Sequence, residues 1–354
     1  MIRPCYRTDL YHDDEDAKKE ESMISNKRTD AISYIRFFKC APGIAIIPVV
    51  LMIVLLPFSA QAFDILLGTG ETGTFSHFAG RMVCRVINSH ADDLNCKVVP
   101  APDDVDNLTN LQGGSLDIGL IDSRMLHDAI NKTGYFEFLD ISYANLRALV
   151  PLYDVPITLV VRGDARIAAL DALKGKRINA GAPRSIQHLQ LDTLLTAKNW
   201  QKADFSLITE LPASQSQDTM AFCHGTVQAM LHIGVHPDAS LQQLFKLCEA
   251  NLVAMADNDI QKLVNGQPAF SLMDIPANVY PSQPERVTTF GTRAVLVAAE
   301  DLDEQTVYKI IDALYSNRKR LKSAHPSLEW MAPEADPGIQ LHPGAAVFFK
   351  EKGL

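Results

Sequence analysis

Phe63-Asp64-Ile65-Leu66-Leu67-Gly68-Thr69-Gly70-Glu71-Thr72-Gly73-Thr74-Phe75 is the run on which the fold class turns. Phe63 to Leu67 reads as a short apolar strand, Gly68 to Thr74 as a glycine-rich turn, and Phe75 to Asn88 as a helix of regular apolar period. Glycine lets backbone approach a ligand closely, and free N–H groups at a helix start favour an anion or a carboxylate. The loop is read as neither a dinucleotide fingerprint nor a P-loop, which needs Gly-Lys-Ser/Thr. A tight strand-to-helix turn with no ligand is an equal reading of these residues alone.

Working outward, the pattern of strand then helix repeats. Cys96 to Pro100 reads as a strand, Val105 to Gly113 as a helix, and Ile118 to Ile121 as a strand. Two β-branched runs follow, Leu146 to Tyr153 and Ile157 to Val161, and then a strand over Arg177 to Ala180. Such alternation predicts parallel sheets covered by helices, with ligands beyond the carboxyl ends of strands. The loops starting at Gly68, Ala101, Ile121 and Gly181 should therefore lie near one another. Ile157–Val161 leaves the first half and Ala294–Ala298 returns to it, which predicts a hinge with a cleft between two lobes. A helix over Gln305 to Lys322 is expected to pack on the first lobe.

Upstream of Phe63 lies an uncharged run from Cys40, preceded by Lys27, Arg28, Arg36 and Lys39 and ending in Ala60-Gln61-Ala62. These are the parts of a cleavable signal peptide, and cleavage is expected after Ala62. An uncleaved membrane anchor is the competing reading, against which stand the prolines and the Ala-x-Ala ending. Residues 1–22 are highly charged and read as disordered, with Met23 the more ordinary start. The first 62 residues hold 8 of the 33 Lys and Arg and 8 of the 42 Asp and Glu, leaving 25 basic against 34 acidic side chains. An acidic balance argues against nucleic acid as a partner.

Cys84, Cys96, Cys223 and Cys248 remain beyond residue 62. An even count in an exported chain invites disulfides, and the local pairing of 84 with 96 and 223 with 248 is one of three connectivities. Buried free thiols are the alternative.

Further stretches carry a resemblance: Gly119-Leu120-Ile121, Asn145-Leu146-Arg147-Ala148-Leu149, Leu173-Lys174-Gly175-Lys176-Arg177-Ile178-Asn179, Gly181-Ala182-Pro183, Phe222-Cys223, Gly234-Val235-His236-Pro237, Thr289-Phe290-Gly291 and Leu341-His342-Pro343-Gly344. With the Gly68 loop, and in this order, they resemble the substrate-binding subunits of TAXI-type tripartite ATP-independent periplasmic (TRAP) transporters. The resemblance implies a type II periplasmic-binding-protein fold, α/β with two lobes joined by a hinge. Residues 63–160 plus 292–354 would form lobe I and 161–291 lobe II, behind a leader over 1–62. It also implies a periplasmic location, capture of a small solute and its delivery to a TRAP membrane permease subunit, without a cofactor. Family members are associated with glutamate, related amino acids and C5 dicarboxylates such as 2-oxoglutarate.

The departures from that pattern shape the expected site. Pro102-Asp103-Asp104 stands where the family has Gly-Gly-Ser, Asp122-Ser123-Arg124 where it has Gln-Ser-Asp, and Arg184-Ser185-Ile186 replaces glycines of the second-lobe loop. First-lobe contacts are expected from Gly70, Glu71, Thr72, Gly73, Thr74, Phe75, Asp103, Asn107, Asp122, Ser123 and Arg124, and second-lobe contacts from Arg184, Ser185, Ile186 and Gln187. On one reading, Arg184 and Arg124 hold a carboxylate while Asp103 or Asp122 receives an amino group, so the ligand is anionic or zwitterionic. On the other, Asp122 pairs with one of these arginines across a narrowed cleft. Phe75 reads as a cleft wall or as core, and His77 as a ligand contact or a surface residue.

His224, His232 and His236 near Cys223 complete no metal-ligand spacing, and no metal is expected. Ser123 and Ser185 have no evident base, so a hydrolase triad is not supported and the chain is not read as an enzyme. A ligand sensor or scaffold of the same fold is the alternative to a transport receptor.

Overall fold

The computed structural model describes residues 62–183, 185–212, 217–281, 283–331 and 339–354. The expected leader and signal peptide, and Arg184, lie outside the described residues.

Among the described residues ten strands form one continuous hydrogen-bonded array in the order β2-β1-β3-β10-β4-β7-β5-β6, with β8 paired to β4 and β9 to β10. Strands β1 (Phe63–Thr69), β2 (Leu94–Pro100) and β3 (Ile118–Asp122) are parallel and alternate with helices α1 (Phe75–His90), α2 (Asp104–Gln112) and α3 (Ser123–Asn131). The same arrangement recurs with β5 (Arg177–Asn179), β6 (Leu207–Thr209) and β7 (Ala229–Ile233), where α4 (Ile186–Lys198) and α5 (Gln217–Cys223) make the crossovers. After β7 come α6 (Ala239–Leu247), β8 (Ala250–Val253), α7 (Asn258–Gly266) and β9 (Ser271–Ile275).

Two long antiparallel strands join the halves: β4 (Leu146–Arg162) and β10 (Val287–Ala299). The sequence reads two runs here, Leu146 to Tyr153 and Ile157 to Val161, but they form one strand that contains both Pro151 and Pro156. Proline cannot donate to a ladder and is tolerated where the pairing is irregular. Here the register shifts between Ala294 and Val295, next to the Val295–Pro151 pair. The extra residue bends the strand as a β-bulge does. The expected helix over 305–322 is likewise two pieces, α8 (Glu304–Ser316) and α9 (Arg318–Ala324), divided at Asn317, whose side-chain Nδ2 donates to Ala313 O at 2.8 Å. The last helix is α10 (Pro343–Lys352).

Strand side chains alternate between faces, so a sheet covered on both sides reads as unbroken apolar sequence. On β10, Ala294, Leu296 and Ala298 join one core with Ile65, Val83, Ile310 and Phe348, under α1, α8 and α10. Val295 and Val297 join the opposite core with Leu108, Leu126 and Tyr143, under α2 and α3. Further along β4, Ile157, Leu159 and Val161 pack with Leu194, Trp200 and Phe270, while Val160 packs with Phe222, Leu244 and Tyr280. The cores change over between Tyr153 and Ile157 on β4 and between Phe290 and Ala294 on β10. These short segments link two packed bodies, and Val235, just beyond β7, joins the core of the first.

Disulfides join Cys84 on α1 to Cys96 on β2, with Cα atoms 4.9 Å apart, and Cys223 to Cys248, 5.3 Å apart. Asn88 clamps the first, its amide donating to Cys96 O at 3.0 Å and accepting from Cys96 N at 2.6 Å.

Candidate functional site

Four helices begin where four strands end: α1 after β1, α2 after β2, α3 after β3 and α4 after β5. Each starts on a side chain that satisfies an otherwise unpaired N–H of the first turn. Thr74 accepts from His77 N at 3.2 Å, Asp103 from Asp106 N at 3.0 Å, Asp122 from Arg124 N at 2.9 Å and Ser185 from His188 N at 3.3 Å. Gly73 makes the turn into α1 at φ +97°, a conformation open to glycine and costly for other residues.

A cavity of about 610 Å³ lies at these helix starts. Ser76, Asp103, Asp104, Asp122 and Tyr153 form its polar wall. Val105, Leu120, Met125 and Val155 continue the wall, and Ile186, Leu189 and Ile233 face it from the second body. A chamber of about 300 Å³ adjoins it, sharing Asp122, Met125, Tyr135, Ile186 and Leu189 and adding Arg124 and Gln190.

The expected contacts divide. Asp103, Asp122 and Ile186 line the larger cavity and Arg124 the smaller. Glu71, Thr72, Gly73 and Thr74 are exposed, and neither they nor Gly70, Ser185 or Gln187 line either space. Asn107 is wholly buried and donates to Thr69 O at 3.1 Å, fastening α2 to the end of β1. Phe75 packs edge-on to Tyr153, with ring centroids 4.9 Å apart, and against Phe78 and His325, so it props a lining residue from behind. His77 faces Thr69 Oγ1 at 3.2 Å.

Ser123 and Arg124 fasten the two bodies together. Ser123 Oγ donates to Ala269 O at 2.8 Å and accepts from Arg293 N at 3.0 Å. The Arg124 guanidinium donates to Thr193 Oγ1 at 2.5 Å, lies 3.6 Å from Asp128 and sits over the Phe270 ring at 5.4 Å. It is held at the edge of the cleft rather than extended into the larger cavity.

The electrostatic centre is a pair of acids. Asp104 accepts from Asp122 N at 2.9 Å, and Asp122 accepts in turn from the Thr292 hydroxyl. Both are half-buried. Burial, followed by the charge of Asp122, pushes the Asp104 carboxyl up to about 7. Burial also raises Asp122, opposed by the hydrogen bonds from Thr292 and the Arg124 N–H. Tyr153 is raised first by burial and then by the charge of Asp104, while Ser76 acts the other way.

Ser76, Asp104, Tyr153 and Gln190 escaped the sequence reading. Tyr153 lies at the core changeover on β4, a position visible only once β4 is continuous. Asp104 sits one residue beyond a cap, and residues at a helix start point in different directions. Gln190, 1% exposed, follows Ile186 by one helical turn, which is the available signal for it.

Among solved structures, a ligand-free TctC solute-binding protein from Polaromonas is similar at 13% identity, covering 84% of this chain and 96% of that one with a TM-score of 0.55. A probable amino-acid ABC transporter extracellular-binding protein from Bacillus subtilis aligns at 13% identity over 77% of this chain and 98% of its own, with a TM-score of 0.48. At 13% identity the likeness to the TctC solute-binding protein is one of fold alone. Residues 67–353 match the model of the NMT1-like family, and the chain, built on that fold, belongs to the NMT1-like family.

Proposed function

We propose that the chain is an extracytoplasmic solute receptor of a TAXI-type TRAP transporter. It closes lobe I, residues 63–160 and 292–354, on lobe II, residues 161–291, and presents a captured solute to a membrane permease. Ligand contacts with both lobes favour the closed state, and the permease reads that state. Export fits the signal-peptide pattern before Phe63 and the paired cysteines.

One observation carries the reading. The cavity of about 610 Å³ at the strand-to-helix loops has acids from one body facing Ile186 and Leu189 of the other. That volume suits a small solute. Within the amino acids and carboxylates associated with the resembled family, the acidic wall favours a solute carrying an amino group over a plain dicarboxylate. The serines of these loops serve structure: Ser123 joins the bodies and Ser185 caps α4.

Native mass spectrometry of the purified protein, followed by a thermal-shift screen of amino acids and carboxylates, tests this reading. A retained solute, or a transition raised by one, is the expected result. A protein that carries nothing and responds to nothing would count against solute capture.

A further inference from the structure

The cleft offers acceptors where a ligand would sit. Asp104 and Asp122 present two carboxylates to the larger cavity. In the adjoining chamber, Gln190 is 1% exposed and its Oε1 is buried without a hydrogen-bond partner. A buried acceptor without a donor is costly, and a ligand N–H can remove that cost. Among the described residues lining either space the one basic side chain is Arg124, and its guanidinium is engaged with Thr193, Asp128 and Phe270. The remaining walls are mostly apolar: Val105, Leu120, Met125, Leu189 and Ile233. Among the described residues no group of three His, Cys, Asp or Glu side chains is placed to hold a metal ion. The wanted partner is therefore rich in N–H donors, positively charged and attached to a hydrocarbon body.

From this we infer that the cleft selects a small organic cation, an aliphatic ammonium or guanidinium, whose N–H groups are accepted by Asp104, Asp122 and Gln190. Its hydrocarbon part lies against the apolar walls. This rests on the solute-receptor reading and deepens it: the positive group is the recognised end, and a carboxylate elsewhere on the solute is dispensable.

The test is calorimetric titration of the purified protein at pH 8 with butylamine, cadaverine and butylguanidine, set against glutarate and 2-oxoglutarate. The expected result is binding of at least one amine or guanidine and none of the dicarboxylates. Asp104→Asn should weaken that binding about tenfold or more, as loss of a charge-assisted hydrogen bond does. Gln190→Met, which keeps the volume and removes the acceptor, should weaken it about fivefold and controls for disturbance of the acid pair. Dicarboxylates binding while amines do not would overturn the cation assignment and leave the receptor reading standing. Unchanged amine affinity in both variants would overturn the placement of the cation. No binding of any probe overturns the cation assignment, and if native mass spectrometry also finds no retained solute, the receptor reading falls with it.

Discussion

The backbone N–H of Asp122 donates to the carboxylate of Asp104 at 2.9 Å, tying the start of α3 to the start of α2. Two successive strand-to-helix loops, their acids 18 residues apart, are thereby locked at one spacing. It also brings two acids together beside an apolar wall, an arrangement that costs free energy whenever both are charged.

That cost gives the first prediction. Asp104 titrates at about 7 in the folded protein, above the ordinary carboxylate value of 3.8, so the folded state holds a proton that the unfolded chain releases. Its contribution to stability is full below the ordinary value and is lost as pH rises towards 7. Burial raises it most, the charges of Asp122 and Asp103 add to this, and the Asp122 N–H lowers it. Asp104→Asn retains an acceptor for that N–H and removes the charge. The variant without ligand should melt roughly 2–4 °C higher at pH 8, with the gain vanishing near pH 4. Calorimetry at the two pH values checks it; an equal change at both would point to packing instead.

Arg124 supplies the second. Its bond to Thr193 joins α3 of one body to α4 of the other. Thr193→Val removes the acceptor at nearly constant volume. Because a hydrogen bond to a charged group contributes on the order of 1.5–3 kcal/mol, reduced here by partial exposure, the contact between the bodies should lose about 1 kcal/mol. Small-angle scattering of the unliganded variant should show a larger radius of gyration than the parent. An unchanged profile would mean that Ser123 and the β4–β10 pair hold the bodies together without this latch.

Much of the fold is legible because its signals are local. Phe63–Leu67 and Ile118–Ile121 are apolar and short, and Gly73 marks the turn before α1. The missed features depend on partners distant in sequence. Pro156 falls in the gap between two apolar runs, yet β10 pairs across it through Gly291, so the strand continues. Asn317 interrupts a helical pattern whose apolar period continues beyond it. For the site, the strand ends locate the cavity, but the sequence does not say which neighbouring side chain enters it. Asp103 caps α2 while Asp104 pairs with Asp122 N, and Phe75 turns behind Tyr153.

The third prediction concerns the hinge strands. Gly291 pairs with Pro156 at the core changeover, and a Cβ there would lie 2.3 Å from Val155 O and 2.8 Å from Pro156 Cα. Both contacts are backbone, so no side-chain rotation relieves them. Gly291→Ala should destabilise the protein by about 2–3 kcal/mol, the upper part of the range for forced overpacking. Urea denaturation measures this directly. A loss below about 0.5 kcal/mol would show that β4 and β10 can separate locally at little cost, as a soft hinge allows.

Lys198 gives the fourth, at the opposite end of α4 from the cleft. Its ammonium lies 2.8 Å from Asp171, 2.6 Å from Asp257 and 3.1 Å from Asp259, and 5.4 Å from the Trp200 ring centroid. With only 5% of its side chain exposed, it pins the end of α4 to the start of α7 and so fixes the angle at which Ile186 and Leu189 meet the cavity. Burial alone would lower its pKa, but the three carboxylates together raise it well above that of a free lysine. Its hydrogen bond in turn holds Asp259 below the ordinary carboxylate value. A depressed acid contributes stability above its unfolded pKa and loses it as pH falls through that value and below. Lys198→Met should therefore cost roughly 1–2 kcal/mol at pH 7, limited because the carboxylates remain open to solvent, and should flatten the decline in stability below about pH 4. Denaturation midpoints from pH 7 down to 3 distinguish this from simple loss of packing, which would shift the parent curve downward without changing its slope.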